Sequence, residues 1–176
     1  MKTEIVLSGV GGQGLISTGE IIGEAASIYE NLFATLTSSY GSETRGTFTK
    51  SDVILSDTNI NYPIIENPDV ILCLAQVAYD RYQDKFLDHT LVIYDTELVV
   101  PAPNARGRHI GYAFKQMSLD LGNQAVANTI ALGVILKHTG LLKRESVASA
   151  VTDRFAAKPN VIGINLKALD MGISLE

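Results

Sequence analysis

A chain of 176 residues, 46% of them hydrophobic, is long enough to bury one sizeable core, and it reads as a single domain over residues 1–176. A formal net charge of −5 argues against the basic face that nucleic-acid binding needs, and no apolar run approaches the roughly 18 residues that cross a bilayer. The single cysteine, Cys73, allows no internal disulfide and no iron–sulfur cluster held by several thiolates of this chain alone.

Met1-Lys2-Thr3-Glu4 leads straight into a strand pattern, without the apolar run and cleavage site of a signal peptide. A cytoplasmic location is therefore expected. Glu4-Ile5-Val6-Leu7-Ser8 reads as the first strand. From Leu15 to about Tyr29, apolar residues recur at helical spacing, with Gly19, Gly23 and Ala26 making one side flat enough to lie on a sheet. Leu32 to Leu36 reads as a second strand. The polar, glycine-punctuated stretch Ser38 to Gly46 reads as a loop. Phe48 to Ser56 alternates as a strand, and Asp69 to Ala75 reads as a buried central strand that carries Cys73 as a small hydrophobe.

Gln76 to about Phe86 reads as a helix, and Leu91 to Asp95 as a further strand. Val99 to Arg108 is expected to be an exposed loop or edge strand, and His109 to Phe114 a last short strand. The final third is helical. Asn123 is placed to cap a helix running to His138, with Gly140 as its stop. Further helices are expected over Lys143–Phe155 and Val161–Met171, the last ended by Gly172. Strands alternating with helices predict a three-layer α/β/α, Rossmann-like domain with a mostly parallel sheet.

Gly9-Val10-Gly11-Gly12-Gln13-Gly14 is the most informative segment. It follows a strand, opens a helix and satisfies G-x-G-x-x-G at Gly9, Gly11 and Gly14. Glycines there let the chain turn sharply and bring a ligand close to the N–H groups of a helix N-terminus, a site suited to phosphate. The dinucleotide reading also needs a carboxylate at the end of the second strand to hold a ribose, and Leu36-Thr37-Ser38-Ser39 supplies none. A bound phosphate, burial against a partner chain and a plain structural turn all remain open on the residues. In Tyr40-Gly41-Ser42-Glu43-Thr44-Arg45-Gly46, Arg45 can grip a phosphate or carboxylate with two hydrogen bonds, and Glu43 can pair with it or with a partner. In a parallel sheet both loops emerge at the carboxyl edge, where ligands bind. The three histidines, His89, His109 and His138, have no spacing that supports a hydrolytic triad or a metal site.

Taken together, the two loops resemble the γ subunit or γ domain of the 2-oxoacid:ferredoxin oxidoreductases. Val53-Ile54-Leu55-Ser56, Ile60, Tyr62-Pro63, Asn67-Pro68-Asp69-Val70, Asn128 to Gly133 and Asn165 to Gly172 follow in the family's order, so the resemblance spans nearly the whole chain. One departure is Arg45-Gly46-Thr47, where the family usually reads Arg-Gly-Gly; a β-branched Thr47 resists positive φ.

The resemblance implies a subunit with no cofactor of its own. Its complex would use thiamine diphosphate, Mg²⁺, iron–sulfur clusters and coenzyme A, and would pass electrons to ferredoxin. The partners would be α and β subunits, with a ferredoxin-like δ subunit as a further candidate; neither nucleic acid nor membrane is expected. A homodimer of the isolated chain stays open, because a subunit without its partners exposes apolar surface. Gly9, Gly11, Gly12, Gln13, Gly14, Tyr40, Glu43 and Arg45 are expected to face coenzyme A or a partner, with Arg106 and Arg108 as weaker candidates for coenzyme A phosphates. Ile54 to Asp57 followed by Asn61-Tyr62-Pro63 resembles the 2-oxoglutarate type. The alternative is a free-standing, NAD-type dinucleotide-binding domain.

Overall fold

The computed structural model describes residues 1–40 and 47–176. Its chain order is β1 (Lys2–Val10), α1 (Leu15–Glu24) extended by a π-helical turn (Ala25–Tyr29), β2 (Phe33–Tyr40), β3 (Phe48–Ser56), β4 (Val70–Cys73), α2 (Gln76–Tyr82), β5 (Leu91–Asp95), β6 (Arg108–Tyr112), α3 (Phe114–Asp120), α4 (Ala127–Thr139), α5 (Arg144–Arg154) and α6 (Ile162–Ser174). The strands form one six-stranded sheet in the order β2-β3-β1-β4-β5-β6. β1, β4, β5 and β6 are mutually parallel, and β3 runs antiparallel to both of its neighbours. β2 consequently runs in the same direction as β1.

The central strands are apolar on both sides because helices cover both faces. Ile5, Leu7, Val70, Leu72, Leu91 and Ile93 pack into a large core with residues of α1 and α3–α6. Val6, Ile71, Cys73 and Val92 face the other way, toward Tyr79, Tyr82 and Phe86. That second layer is thin. The segment after β5 completes it: the Tyr79 hydroxyl accepts from the Ala102 amide and lies 2.9 Å from His109 Nε2. His109 is therefore half-buried in an aromatic cluster, not a surface residue as its isolation in the sequence suggests.

Three boundaries differ from the sequence reading. The stretch Phe114–Asp120 is helix α3, not the end of a strand. Its N-terminal amides are capped from far away in sequence: Lys115 N donates to Asp95 Oδ2 and Gln116 N to Glu97 Oε2. No local residue announces that start. Ser38 to Tyr40 continue β2 instead of forming a loop, through unbroken pairing with β3. Gly172 does not end α6, which runs on to Ser174. A side chain at Gly172 would put its Cβ 2.0 Å from Ile130 O and 2.9 Å from Gly133 Cα, so this glycine lets α6 and α4 touch backbone to backbone. Gly140 does stop α4, in the left-handed region with φ 60°.

At the amino edge of the sheet, the buried Glu4 carboxylate accepts from Lys2 Nζ and from the amides of Glu66 and Asn67. Burial opposes its ionisation, but these hydrogen bonds outweigh burial and hold the carboxyl below the usual glutamate range. Among the described residues no helix is long and apolar enough to cross a membrane.

Candidate functional site

The glycine loop lies at the carboxyl edge of β1, where the chain turns into α1. Gly12 and Gly14 both have positive φ, 92° and 74°. At Gly14 two constraints coincide. The backbone is left-handed, and an added Cβ would lie 2.4 Å from Asn128 Nδ2. Gly9 is the last small residue of β1 beneath the loop; a Cβ there would strike Gln13 Oε1. Gly11 N donates to Thr47 O and ties the loop to the start of β3.

Gln13 turns inward. Its Oε1 accepts from Val10 N at 2.8 Å and its Nε2 donates to Leu74 O at 2.8 Å. The residue expected to reach out to a partner or ligand instead pins the loop to the end of β4, leaving the rest of its amide on a cavity wall. Asn128, at the start of α4, holds the loop from the other side. Its Nδ2 donates to Gly14 O and Thr18 Oγ1, at 3.1 and 3.0 Å. Thr129 then donates to Asn165 Oδ1, and Asn165 Nδ2 to Val161 O. A single polar chain thus links the loop through α4 to α6 inside an otherwise apolar interior, and each buried group along it has a partner.

Between the loop and α4 opens a cavity of about 300 Å³, lined by Gly12, Gln13, Leu74, Asp95, Lys115 and Asn128 among others. It sits outside the carboxyl ends of β1, β4 and β5. Here the crossovers diverge to opposite faces of the sheet, the place where open α/β sheets bind ligands. Asp95 is 1% exposed and accepts from the amides of Glu97 and Lys115. Lys115 reaches the cavity from α3, and among the described residues its ammonium forms no ion pair. Gln124 and Ala125, in the turn before α4 that the Asn123 side chain caps, also line it. Lys115 on this wall favours an anionic group, and Gln13 and the buried Asp95 add polar groups beside it. Among the described residues its wall has no His, Cys or Ser.

Cys73 and Ser8 lie below the loop, within the core. Burial pushes the Cys73 thiol up to about 12, and Ser8 Oγ donates to Leu72 O. Neither is an accessible nucleophile. Among the described residues no three His, Cys, Asp or Glu side chains converge as metal ligands. With one thiol, and that buried, this chain by itself cannot supply several thiolates to an iron–sulfur cluster.

The other expected residues divide by position. Tyr40 ends β2 opposite Thr49, on the same edge as Val10, which pairs with Phe48. Glu43 and Arg45 lie outside the described residues. Arg106 and Arg108 stand at the opposite, amino edge: Arg108 pairs with Leu91 at the start of β5, and Arg106 is hydrogen-bonded to Asp88. They and the glycine loop thus lie at opposite ends of the strands. Asp95, Lys115 and Asn128 were not singled out as site residues from the sequence. The one signal for Asp95 was a carboxylate closing an apolar strand; Lys115 had none, because α3 itself was not legible.

A family model described as pyruvate ferredoxin/flavodoxin oxidoreductase matches residues 4–175. The chain belongs to this family. Among members, 2-oxoglutarate synthase subunit KorC of Methanocaldococcus jannaschii is 38% identical over 157 residues, 87% of this chain and 83% of that one. The γ subunit of a keto/oxoacid ferredoxin oxidoreductase from Geobacter sulfurreducens superposes with a TM-score of 0.87 at 35% identity, over 98% of this chain and 94% of that one. A 2-oxoglutarate:ferredoxin oxidoreductase from Magnetococcus marinus, solved with 2-oxoglutarate, coenzyme A and succinyl-CoA, gives 0.90 at 21% identity, over 98% of this chain but 30% of that one. That last likeness is one of fold.

Family membership displaces the free-standing dinucleotide-binding alternative, and the topology supplies a reason. In this sheet β3 is inserted between β1 and β2. The end of β2 is thus two strand spacings, roughly 10 Å, from the glycine loop, and not adjacent as dinucleotide recognition requires.

Proposed function

We propose that this chain is the γ subunit of a 2-oxoacid:ferredoxin oxidoreductase acting on 2-oxoglutarate, and that its glycine-loop cavity helps hold coenzyme A for the partner chains. The observation that carries this reading is the meeting of the glycine loop, Lys115 and the α4 start around one cavity at the carboxyl edge. Such a cavity suits the phosphates or pantetheine amides of coenzyme A. The 2-oxoglutarate assignment rests on the relatives at 38% and 32% identity, both named 2-oxoglutarate synthase subunit KorC. A ketoisovalerate oxidoreductase subunit at 31% identity marks a rival substrate class.

Thiamine diphosphate, Mg²⁺ and the clusters belong, on this reading, to the α, β and δ-type chains. When bound there, they would supply decarboxylation and electron transfer to ferredoxin. This chain would position the acyl acceptor and exclude water around it. A cytoplasmic location follows from such chemistry.

The test is an oxygen-free reconstitution of the complex with and without this chain. Ferredoxin reduction would be followed with 2-oxoglutarate, pyruvate, a branched-chain oxoacid or indolepyruvate as donor. The expected result is coenzyme A-dependent reduction that needs this chain and is fastest with 2-oxoglutarate. Equal rates with the chain omitted would refute the subunit role, and a faster branched-chain substrate would refute the substrate assignment.

A further inference from the structure

The open margin of the sheet lies beside α1, away from the cavity. β2 is an edge strand whose eight residues, Phe33–Tyr40, contain no charge and no proline. Its pairing with β3 is continuous from Phe33↔Ser56 to Tyr40↔Thr49, without a bulge. Soluble proteins usually protect such an edge with lysines, prolines, bulges or a covering element. None of these is present on β2 among the described residues.

Beside the edge runs a groove of about 230 Å³ between β2 and α1. Its floor is made of small residues, Gly19, Gly23 and Ser27, one turn apart, with Ala34 and Leu36 from β2. Leu36 leans over Gly19, where a Cβ would lie 2.7 Å from its Cδ1. At Gly23 a Cβ would meet nothing within 4 Å among the described residues, so the space above it is unfilled. Phe33 and Leu36 are 47% and 37% exposed. The groove wall carries Glu20 and Glu24 and no cation. Glu20 is paired with Arg154, while Glu24 has no ion pair among the described residues.

We propose that this margin is a docking site for an extended segment of another chain of the oxidoreductase, which adds a strand to β2, lays apolar side chains over Gly23 and brings a Lys or Arg to Glu24. Backbone pairing would give the affinity, and the groove and Glu24 the selectivity. A second copy of this chain is the poorer occupant. Pairing β2 with β2 about an axis normal to the sheet puts both copies of α1 on one face and turns two Glu24 carboxylates toward each other. β2 has no basic residue to offset them.

The inference rests on the subunit reading, and two variants separate them. Gly23→Leu fills the groove and Glu24→Lys reverses its charge; both positions are remote from the glycine-loop cavity. Binding of each variant to the purified remainder of the complex is measured directly, alongside thermal unfolding of the isolated chain. Each is expected to raise Kd about tenfold or more, with an unfolding temperature unchanged or higher. Ferredoxin reduction should recover when the variant chain is in excess. Unchanged Kd for both variants overturns the docking site while leaving the subunit reading intact. An isolated chain that is dimeric, and that either variant makes monomeric without altering its binding to the remainder, assigns the edge to a second copy and also overturns it. A wild-type chain that does not bind the remainder refutes both readings.

Discussion

Helix α1 has a crowded end and an empty side. At its start, the glycine loop is stitched from three directions, by Gln13 to β4, by Gly11 to the start of β3 and by Asn128 from α4. Along its outer side the same helix and its π-helical extension present Gly19, Gly23 and Ser27 to a groove that, among the described residues, holds no side chain above Gly23. Both regions are rich in small residues, yet for opposite reasons. In the loop, glycine is required by backbone angle and by neighbours already in place. In the groove, Gly19 is likewise crowded by Leu36 and Ser51, but Gly23 leaves room that no described side chain fills. A glycine pattern in a sequence does not distinguish these two cases; the presence or absence of a neighbour above the Cα does.

The sharpest way to break this contrast is to add a methyl group in each region. Gly14→Ala places a residue at φ 74° with its Cβ against Asn128. It should destabilise the isolated chain by about 3 kcal/mol, from left-handed strain plus overpacking, as read by denaturant unfolding. A loss below about 0.5 kcal/mol would mean that the loop is not held as described.

Asn128→Ala removes the amide that holds Gly14 O and Thr18 Oγ1, and should lower stability by about 1–3 kcal/mol. Its effect should be largely non-additive with Gly14→Ala, because both break one contact. Lys115→Gln sharpens the comparison differently, since this side chain lines the cavity and, on the proposed reading, binds coenzyme A there. Stability should change by no more than about 0.5 kcal/mol, while KM for coenzyme A in the reconstituted complex rises about tenfold with little change in kcat. Equal KM would remove Lys115 from the site. The smallest effect, and the one of opposite sign, is expected at Gly23→Ala. It should stabilise the isolated chain by about 0.5–1 kcal/mol, since a helical position gains a better helix former and nothing is displaced.

Much of the fold was legible because its signals are local. The apolar run Val70-Ile71-Leu72-Cys73 announced a central strand, and the structure buries all four residues. Phe48 to Ser56 alternated as a strand and is one. Gly140 stops α4 as expected, being a residue in the left-handed region at a helix end. Helix α3 was not legible, because its amides are capped by Asp95 and Glu97 from across the fold. Gly172 was misread for a related reason. A glycine near a helix C-terminus looks like a stop, and only the approach of α4 at Gly133 shows it to be a contact. The strand-to-helix turn Gly9 to Gly14 was legible as a unit, but the bonds of Gln13 to Val10 N and Leu74 O were not.

The sequence by itself determined an α/β fold with a glycine loop between its first strand and first helix, too few thiols for a cluster, and an order of motifs like that of the γ chains of the oxoacid oxidoreductases. Those properties depend on composition, periodicity and residue order, which a linear chain carries explicitly. Only the tertiary structure decided that β3 separates β2 from β1, that Lys115 and Asp95 meet the glycine loop at one cavity, that Arg106 and Arg108 stand at the other edge, and that β2 is the edge strand of the sheet. Each of these depends on which strand pairs with which, and strand order is set by the summed burial of the whole sheet and its helices. No short stretch of residues contains that sum.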